Sequence, residues 1–393
     1  MKKVLFAVFS VVLLAAFGLD LSLPSESGAV PSFARTKGTS CNTCHTQWPL
    51  LNEAGRQFLE QGFTTGDQIT VDNMSIQKEF PVSARLNLRL IDKRTSKDKT
   101  SALTDADKQL KMRSLHEGEI FAAGRIKDFS YFFELESEDE WPDPDATAPG
   151  FQVQLAMGYV GWHLSPALNV RAGYTSPFGA DGRNTVNQVK PGRYEWAASA
   201  QGFVPGVSQA VNLYGTVAEN IFYSLAWHGN EDLLEGNDAK DISLRAAYDI
   251  ANVGASVGGF YNLSKAYDST TGSSEDKTTR LGIDAQWLHD NIQVNAIYAS
   301  KNVDATDATD SLIGIFGQYI FADGDIPQAA IALNLDKYTK SDGDDEWTKT
   351  AIVLTYFAMD NVKFQAGWEG TLEAPDAYEN KESRITLVVD LGF

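Results

Sequence analysis

The chain has 393 residues, with 33 lysines and arginines against 52 aspartates and glutamates, and a formal net charge of -19. Nucleic acid is thereby excluded as a partner, because phosphate binding needs a basic surface, whereas the field of such a chain attracts cations. Its two cysteines are too few for a disulfide framework or a four-cysteine metal cluster.

At the N-terminus Lys2 and Lys3 precede an uncharged apolar run from Val4 to Gly18, and polar Asp20, Ser22, Ser25 and Glu26 follow. This is the layout of a secretory signal peptide. The run is short for a full membrane span. Small residues allow cleavage after Gly18 or after Ala29. The second fits best and makes residues 1–29 the signal. No later stretch is long and apolar enough for a membrane helix.

Both cysteines fall in Cys41-Asn42-Thr43-Cys44-His45, a C-x-x-C-H. That spacing lets two thiols add to the vinyl groups of one haem while the next histidine binds the iron. A thioredoxin-like pair would need a βαβ context, and a zinc site a second cysteine pair; neither is present. Cys41 and Cys44 are therefore expected to hold one covalently attached haem c, with His45 as proximal iron ligand. The segment from 30 to 79 is too small to build an ordinary core by itself.

From residue 80 to 393 the pattern changes to stretches of about ten residues that alternate polar with apolar. Sixteen strands are expected to start near Phe80, Leu115, Phe129, Gln152, Leu168, Val207, Ile221, Lys240, Val253, Lys277, Asn291, Ser311, Gln328, Thr348, Asn361 and Ser383. Connections alternate short and long, as in bacterial outer-membrane barrels. The fold class is thus mainly β, a sixteen-stranded antiparallel transmembrane β-barrel facing outer-membrane lipid, with a small N-terminal haem segment. An even strand count places both barrel ends on the periplasmic side. Trp162, Trp227, Trp287 and Trp368 fit aromatic girdles, and terminal Phe393 fits an assembly signal. On the strand from Ile221, Tyr223, Leu225 and Trp227 face lipid with Ile221, while Phe222, Ser224, Ala226 and His228 face inward. Arg85, Asn87 and Arg89 share one face, as do Glu117, Glu119 and Arg125. His116 and His163 are read as outward, and His289 as part of a turn.

Val30-Pro31-Ser32-Phe33-Ala34-Arg35 before Cys41, and Trp48-Pro49-Leu50-Leu51-Asn52-Glu53-Ala54-Gly55-Arg56-Gln57-Phe58 with Gly62-Phe63 after His45, resemble the fused monohaem cytochrome-porins of the outer membrane of iron-oxidising bacteria. Motif-level similarity runs from Pro31 to Phe63. Ala54 and Leu59 depart from the aromatic and the lysine common there. The resemblance implies that the haem segment plugs the lumen of its own barrel, which at this strand number is wide enough for a plug.

The sixth iron position has two candidates. Met74 is the methionine of the haem segment, and its thioether would raise the potential; it could equally be a gap-filler. His228 is the alternative from the barrel. Acidic clusters at Glu138 to Asp145, Glu231 to Asp238 and Asp342 to Glu346 either steer a divalent cation or solvate the surface. The expected function is an Fe(II)-oxidising outer-membrane electron conduit, taking electrons from an extracellular Fe(II) donor and passing them to a periplasmic cytochrome c acceptor. A porin with a haem-based redox gate, or a conduit delivering electrons outward, are the alternatives. No triad, Walker loop or dinucleotide fingerprint supports other catalysis.

Overall fold

The computed structural model describes Phe33 and residues 40–47, 50–64, 82–95, 108–138, 152–183, 185–186, 202–229, 241–267, 275–304, 307–324, 326–340, 345–359, 361–374 and 383–392. The signal segment, Met74, Phe393 and nearly all of the three acidic loop clusters lie outside the described residues.

The haem-motif region opens with a single 3-10 turn, Cys41–Thr43. A minimal hairpin follows, β1 (His45–Gln47) paired antiparallel with β2 (Leu50–Leu51), and then helix α1 (Glu53–Glu60). Sixteen long strands come next: β3 (Val82–Thr95), β4 (Lys108–Ile126), β5 (Phe129–Glu138), β6 (Gln152–Ser165), β7 (Leu168–Thr175), β8 (Ser208–Val217), β9 (Ile221–His228) and β10 (Asp241–Ile250). The second half contributes β11 (Ala255–Tyr267), β12 (Glu275–His289), β13 (Ile292–Val303), β14 (Ala308–Asp323), β15 (Ile326–Thr339), β16 (Glu346–Met359), β17 (Val362–Glu373) and β18 (Ser383–Gly392). Each strand from β3 to β18 pairs antiparallel with its chain neighbours. β18 returns to β3, with Asp390 opposite Asn87 and Leu391 opposite Leu86, and closes the barrel. Closure leaves no strand edge unpaired, which a sheet surrounded by hydrocarbon requires.

The expected sixteen strands are all present. Most start within two residues of their expected positions, but β4 begins at Lys108, seven residues earlier than read, because its charged first half hides the alternation. On β9, Ile221, Leu225 and Trp227 are exposed on the outer face while Phe222, Ser224, Ala226 and His228 are buried. Trp162, Trp227, Trp287 and Trp368 also lie exposed on the outer face.

Two parity readings are corrected. His163 is buried between exposed Trp162 and Leu164, so it faces the lumen; a lumen-facing Tyr159 on the same strand had masked the period. His116 is fully buried next to buried Glu117, since the β3–β4 register shifts between Asn87 and Asp92 and two successive β4 residues turn inward there. His289, the last residue of β12, is exposed and stacks on Trp287.

The long connection from β7 to β8 is more than an outer loop. Its described residues fold into the lumen, where Phe178, Ala180, Asp181, Thr185, Val186, Phe203 and Val204 are buried. Phe178, Val186, Phe203 and Val204 join inward residues of the wall such as Phe260, Ile297, Leu312, Phe316 and Val353 in one apolar cluster, together with Leu50 of the N-terminal segment. The β11–β16 side of the lumen is thus an apolar core shared by wall, loop and N-terminal segment. That burial compensates for the small size of the segment.

Candidate functional site

The C-x-x-C-H turn is held by the residues just after it. Asn52 caps α1, its Oδ1 accepting from the Gly55 amide at 2.9 Å. Its Nδ2 donates back to the carbonyls of Asn42 at 3.0 Å and Thr43 at 3.1 Å, and its backbone N–H donates to the Cys44 carbonyl at 3.0 Å. One side chain therefore joins the cysteine turn to the helix start, using the N-cap acceptor and both amide hydrogens. Gly55 lies against the turn so closely that a Cβ there would run into the Cys44 carbonyl oxygen. Cys41 and Cys44 are half-buried and not joined in a disulfide. Burial pushes the Cys44 thiol above its ordinary pKa. His45 leads β1 directly from the turn, opposite Leu51.

The barrel wall receives this hairpin near its tight-turn end. Thr46 donates to Gln293 at 2.9 Å and accepts from Gln318 at 3.2 Å, and buried Gln47 donates to Thr355 at 2.8 Å. Helix α1 is anchored on the opposite side of the lumen. Arg56 bonds Asp249 at 3.1 Å, Glu60 meets Arg183 at 3.5 Å and accepts from Thr216 at 3.4 Å, and the Gln61 carbonyl accepts from Arg125. Gly62, with φ of 70°, packs on the His163 ring so closely that only a residue without Cβ fits. Phe33 stacks on Phe63 at 5.2 Å and meets Phe58 edge-on at 4.9 Å; Phe63 reaches Phe132 of β5, which stacks on Tyr159. The aromatic positions of the sequence motif thus form the contact with β4–β6.

A chain of charges links segment, loop and wall. Arg183 lies 2.8 Å from Asp181 and 2.5 Å from Asp249, while Arg245 joins Asp181 at 2.8 Å to Asp284. Burial works to raise Asp181, but Arg183 and Arg245 outweigh it and hold the carboxyl at about 2. Glu60 behaves oppositely: burial, aided by Asp181 and Asp249, outweighs Arg183 and Arg56 and pushes its carboxyl up to about 7.

Cys41, Cys44 and His45 are brought together as their spacing requires. His228 is not among them. It ends β9 on the long-loop side, while the helix contact at Asp249 sits eight residues along β10 from Asp241, the partner of His228, or roughly 25 Å of strand. Its ring is also engaged: Nδ1 lies 3.0 Å from the Gly229 carbonyl, which can only accept, so Nε2 accepts from Ser243 at 2.9 Å. His163 is similarly held, by Asn169 at 2.9 Å and Ser130 at 2.8 Å. The anchoring roles of Glu60, Arg183 and Asp249 carried no sequence signal. Asn52, Gly55 and Arg56 did, as members of the motif, though not the contacts they make.

The chemistry of the donor set tests whether this site suits a c-type haem. The donor set is two thiols on one 3-10 turn and the imidazole of the residue that follows it, the groups covalent attachment and iron ligation need, and both cysteines are only half-buried. The residues fit the group.

No protein-family model matches this sequence, and no curated protein matches it. Solved structures do share the fold. The outer-membrane channel DcaP of Acinetobacter baumannii superposes with a TM-score of 0.59 at 9% identity, over 79% of this chain and 97% of that one. OprB of Pseudomonas putida gives 0.56 at 10% identity, over 82% and 96%. The anion-selective porin of Comamonas acidovorans gives 0.53 at 11% identity, over 79% and 99%. At such identities the likeness is one of fold, and the fold of this chain is that of a porin: a closed sixteen-stranded antiparallel β-barrel.

Proposed function

We propose that this chain is an outer-membrane electron conduit of the monohaem cytochrome-porin type, with one haem c held by Cys41, Cys44 and His45. The observation that carries the reading is the docking of a C-x-x-C-H turn inside a porin-fold lumen by its own wall and folded-in loop, through Thr46, Gln47, Arg56 and Glu60. A bound haem c would supply a one-electron Fe(III)/Fe(II) couple. The donor on this reading is extracellular Fe(II), each ion giving up one electron and leaving as Fe(III), and the acceptor is a periplasmic cytochrome c. Both termini of the barrel are assigned to the periplasmic side, where the tight turns and the haem segment lie. Asn52 and Gly55 fix the turn, and the aromatic group of Phe33, Phe58 and Phe63 fixes the helix on β4–β6. The apolar outer face of the strands suits lipid.

The test is direct. Oxidised, haem-loaded protein in micelles is mixed anaerobically with Fe(II) at the pH of its habitat and the haem absorption followed. Reduction by Fe(II) supports the donor assignment. Protein that stays oxidised in excess Fe(II) but is reduced by dithionite rules the assignment out, leaving outward transfer or a gated porin. Absence of covalent haem after expression in a maturation-competent host would end the cytochrome reading altogether.

A further inference from the structure

On the lumen wall formed by β17, β18, β3, β4 and β5, four carboxylates gather around two cations. Arg85 binds Asp390 at 2.9 Å and Glu119 at 2.9 Å and lies 3.6 Å from Glu117, while Lys363 lies 3.4 Å from Asp390. Glu119 sits directly across the β4–β5 ladder from Glu136. Like charges so opposed destabilise a sheet. Glu117, Glu119 and Glu136 can each present one oxygen within 4.8 Å of the others, with Glu117 and Glu119 buried. Arg89 lies 3.6 Å from Asp92, which also binds Arg384 at 2.7 Å.

A second observation points at the same place. Asn87 is fully buried between Glu117, its partner on β4, and Asp390, its partner on β18. Its Nδ2 donates to Asp390 at 3.2 Å, since a carboxylate there can only accept. The amide oxygen, on the other side of the amide from that nitrogen, meets no hydrogen-bond donor among the described residues. A buried acceptor left unmet beside carboxylates is costly, and a cation shared with them would meet it.

We propose that Glu117, Glu119 and Glu136, with the Asn87 amide oxygen, form a lumenal site for one divalent cation of the Fe(II) or Mn(II) kind. All four donors are hard oxygens, the set that such ions take together with water. The site lies close to the haem segment: Glu136 and Phe132 are four residues apart on β5, about 14 Å along the strand, and Phe132 touches Phe63. It rests on the proposed function only in the identity of the natural ion, Fe(II), for which it would be the place where the donor halts beside the segment.

The test uses the full, haem-loaded chain in micelles, stripped of metal with a chelator and titrated with Mn(II) alone. Loss of the free Mn(II) spin-resonance signal measures binding, and a thermal melt is recorded on each sample. The wild type should bind one ion tightly enough to raise its melting midpoint. Glu136→Gln should weaken that binding by about tenfold or more, since losing even an outer-shell partner costs that much. The same variant should melt higher than the wild type in chelator, because one of two opposed carboxylates is neutralised. That result also shows that it folds. Asn87→Ala should weaken Mn(II) binding without the gain in chelator. Equal Mn(II) affinity in wild type and Glu136→Gln, or no thermal shift with Mn(II) in the wild type, overturns the site; in the second case the carboxylates are satisfied by protons. If the site binds Mn(II) as expected but Fe(II) never reduces the haem, the site stands and the donor assignment fails.

Discussion

Replacing Asn52 tests the clamp on the cysteine turn, and two substitutions separate its parts. Asn52→Ala removes an N-cap, worth about 1 kcal/mol. It also removes two N–H donors to the carbonyls of Asn42 and Thr43. These carbonyls are partly open to water, so each bond contributes at the low end, about 0.5 kcal/mol. The loss of about 2 kcal/mol should speed opening of the turn about 30-fold. Asn52→Asp keeps the cap acceptor for Gly55 but loses both donors, so its loss should be about 1 kcal/mol, close to fivefold. Hydrogen exchange of the Gly55 and Arg56 amides in the full-length protein reads this opening directly, because both are bonded to Asn52. Exchange in Asn52→Ala matching the wild type would refute the clamp. Equal exchange in the two variants would refute the separate weight given to the cap.

Three further outcomes are expected. Cys44→Ala should abolish two-point haem attachment on haem-stained gels while the barrel still inserts, because the segment bonds the wall through Thr46, Gln47, Arg56 and Glu60; loss of insertion would contradict the separation of segment and barrel. Asp249→Asn should weaken docking of α1 by about 1–2 kcal/mol, below the cost of breaking a fully buried pair because Asp249 is a quarter exposed, and protease access to the segment should rise accordingly. Docking should also depend on pH through Glu60. Its carboxyl rises from an ordinary 4.5 to about 7 in the docked state, so docking takes up a proton. The contribution is fully present below pH 4.5 and is lost as pH rises through 7. Glu60→Gln should flatten the profile of protease access over that window, and an unchanged profile would show that another group sets it.

The barrel was legible because lipid and lumen impose a strict period of two over whole strands, and tight turns punctuate them. Where the period breaks, reading failed for a local reason. His116 and Glu117 turn inward together at a register shift, which no alternation rule foresees. His163 shares the lumen face with Tyr159, and an aromatic there looks like a lipid-facing residue until its neighbours Val160, Trp162 and Leu164 are seen exposed. The inward fold of the β7–β8 connection was hidden because Phe178, Asp181 and Phe203 are ordinary loop residues until a wall is placed beside them. In the N-terminal segment the C-x-x-C-H was visible, but Asn52, Gly55 and Arg56 each derive their role from a contact with another element: the cysteine turn for the first two, β10 for the third.

The segment depends on the barrel for polar satisfaction as well as for burial. Residues 40–64 contribute one short helix and a two-residue ladder, too little to exclude water from Gln47 or Glu60 by themselves. Inside the barrel, Gln47 finds Thr355 and Glu60 finds Arg183 and Thr216. The barrel needs the segment less: at Asp249, Arg183 already supplies one cation before Arg56 adds a second. Arg183 comes from the folded-in loop and Arg56 from the segment, so the loop can hold its place on the wall before the segment arrives. Assembly in that order leaves the segment to dock last, on charges already fixed by the loop, and it predicts that a barrel lacking the segment closes while the segment alone stays unfolded.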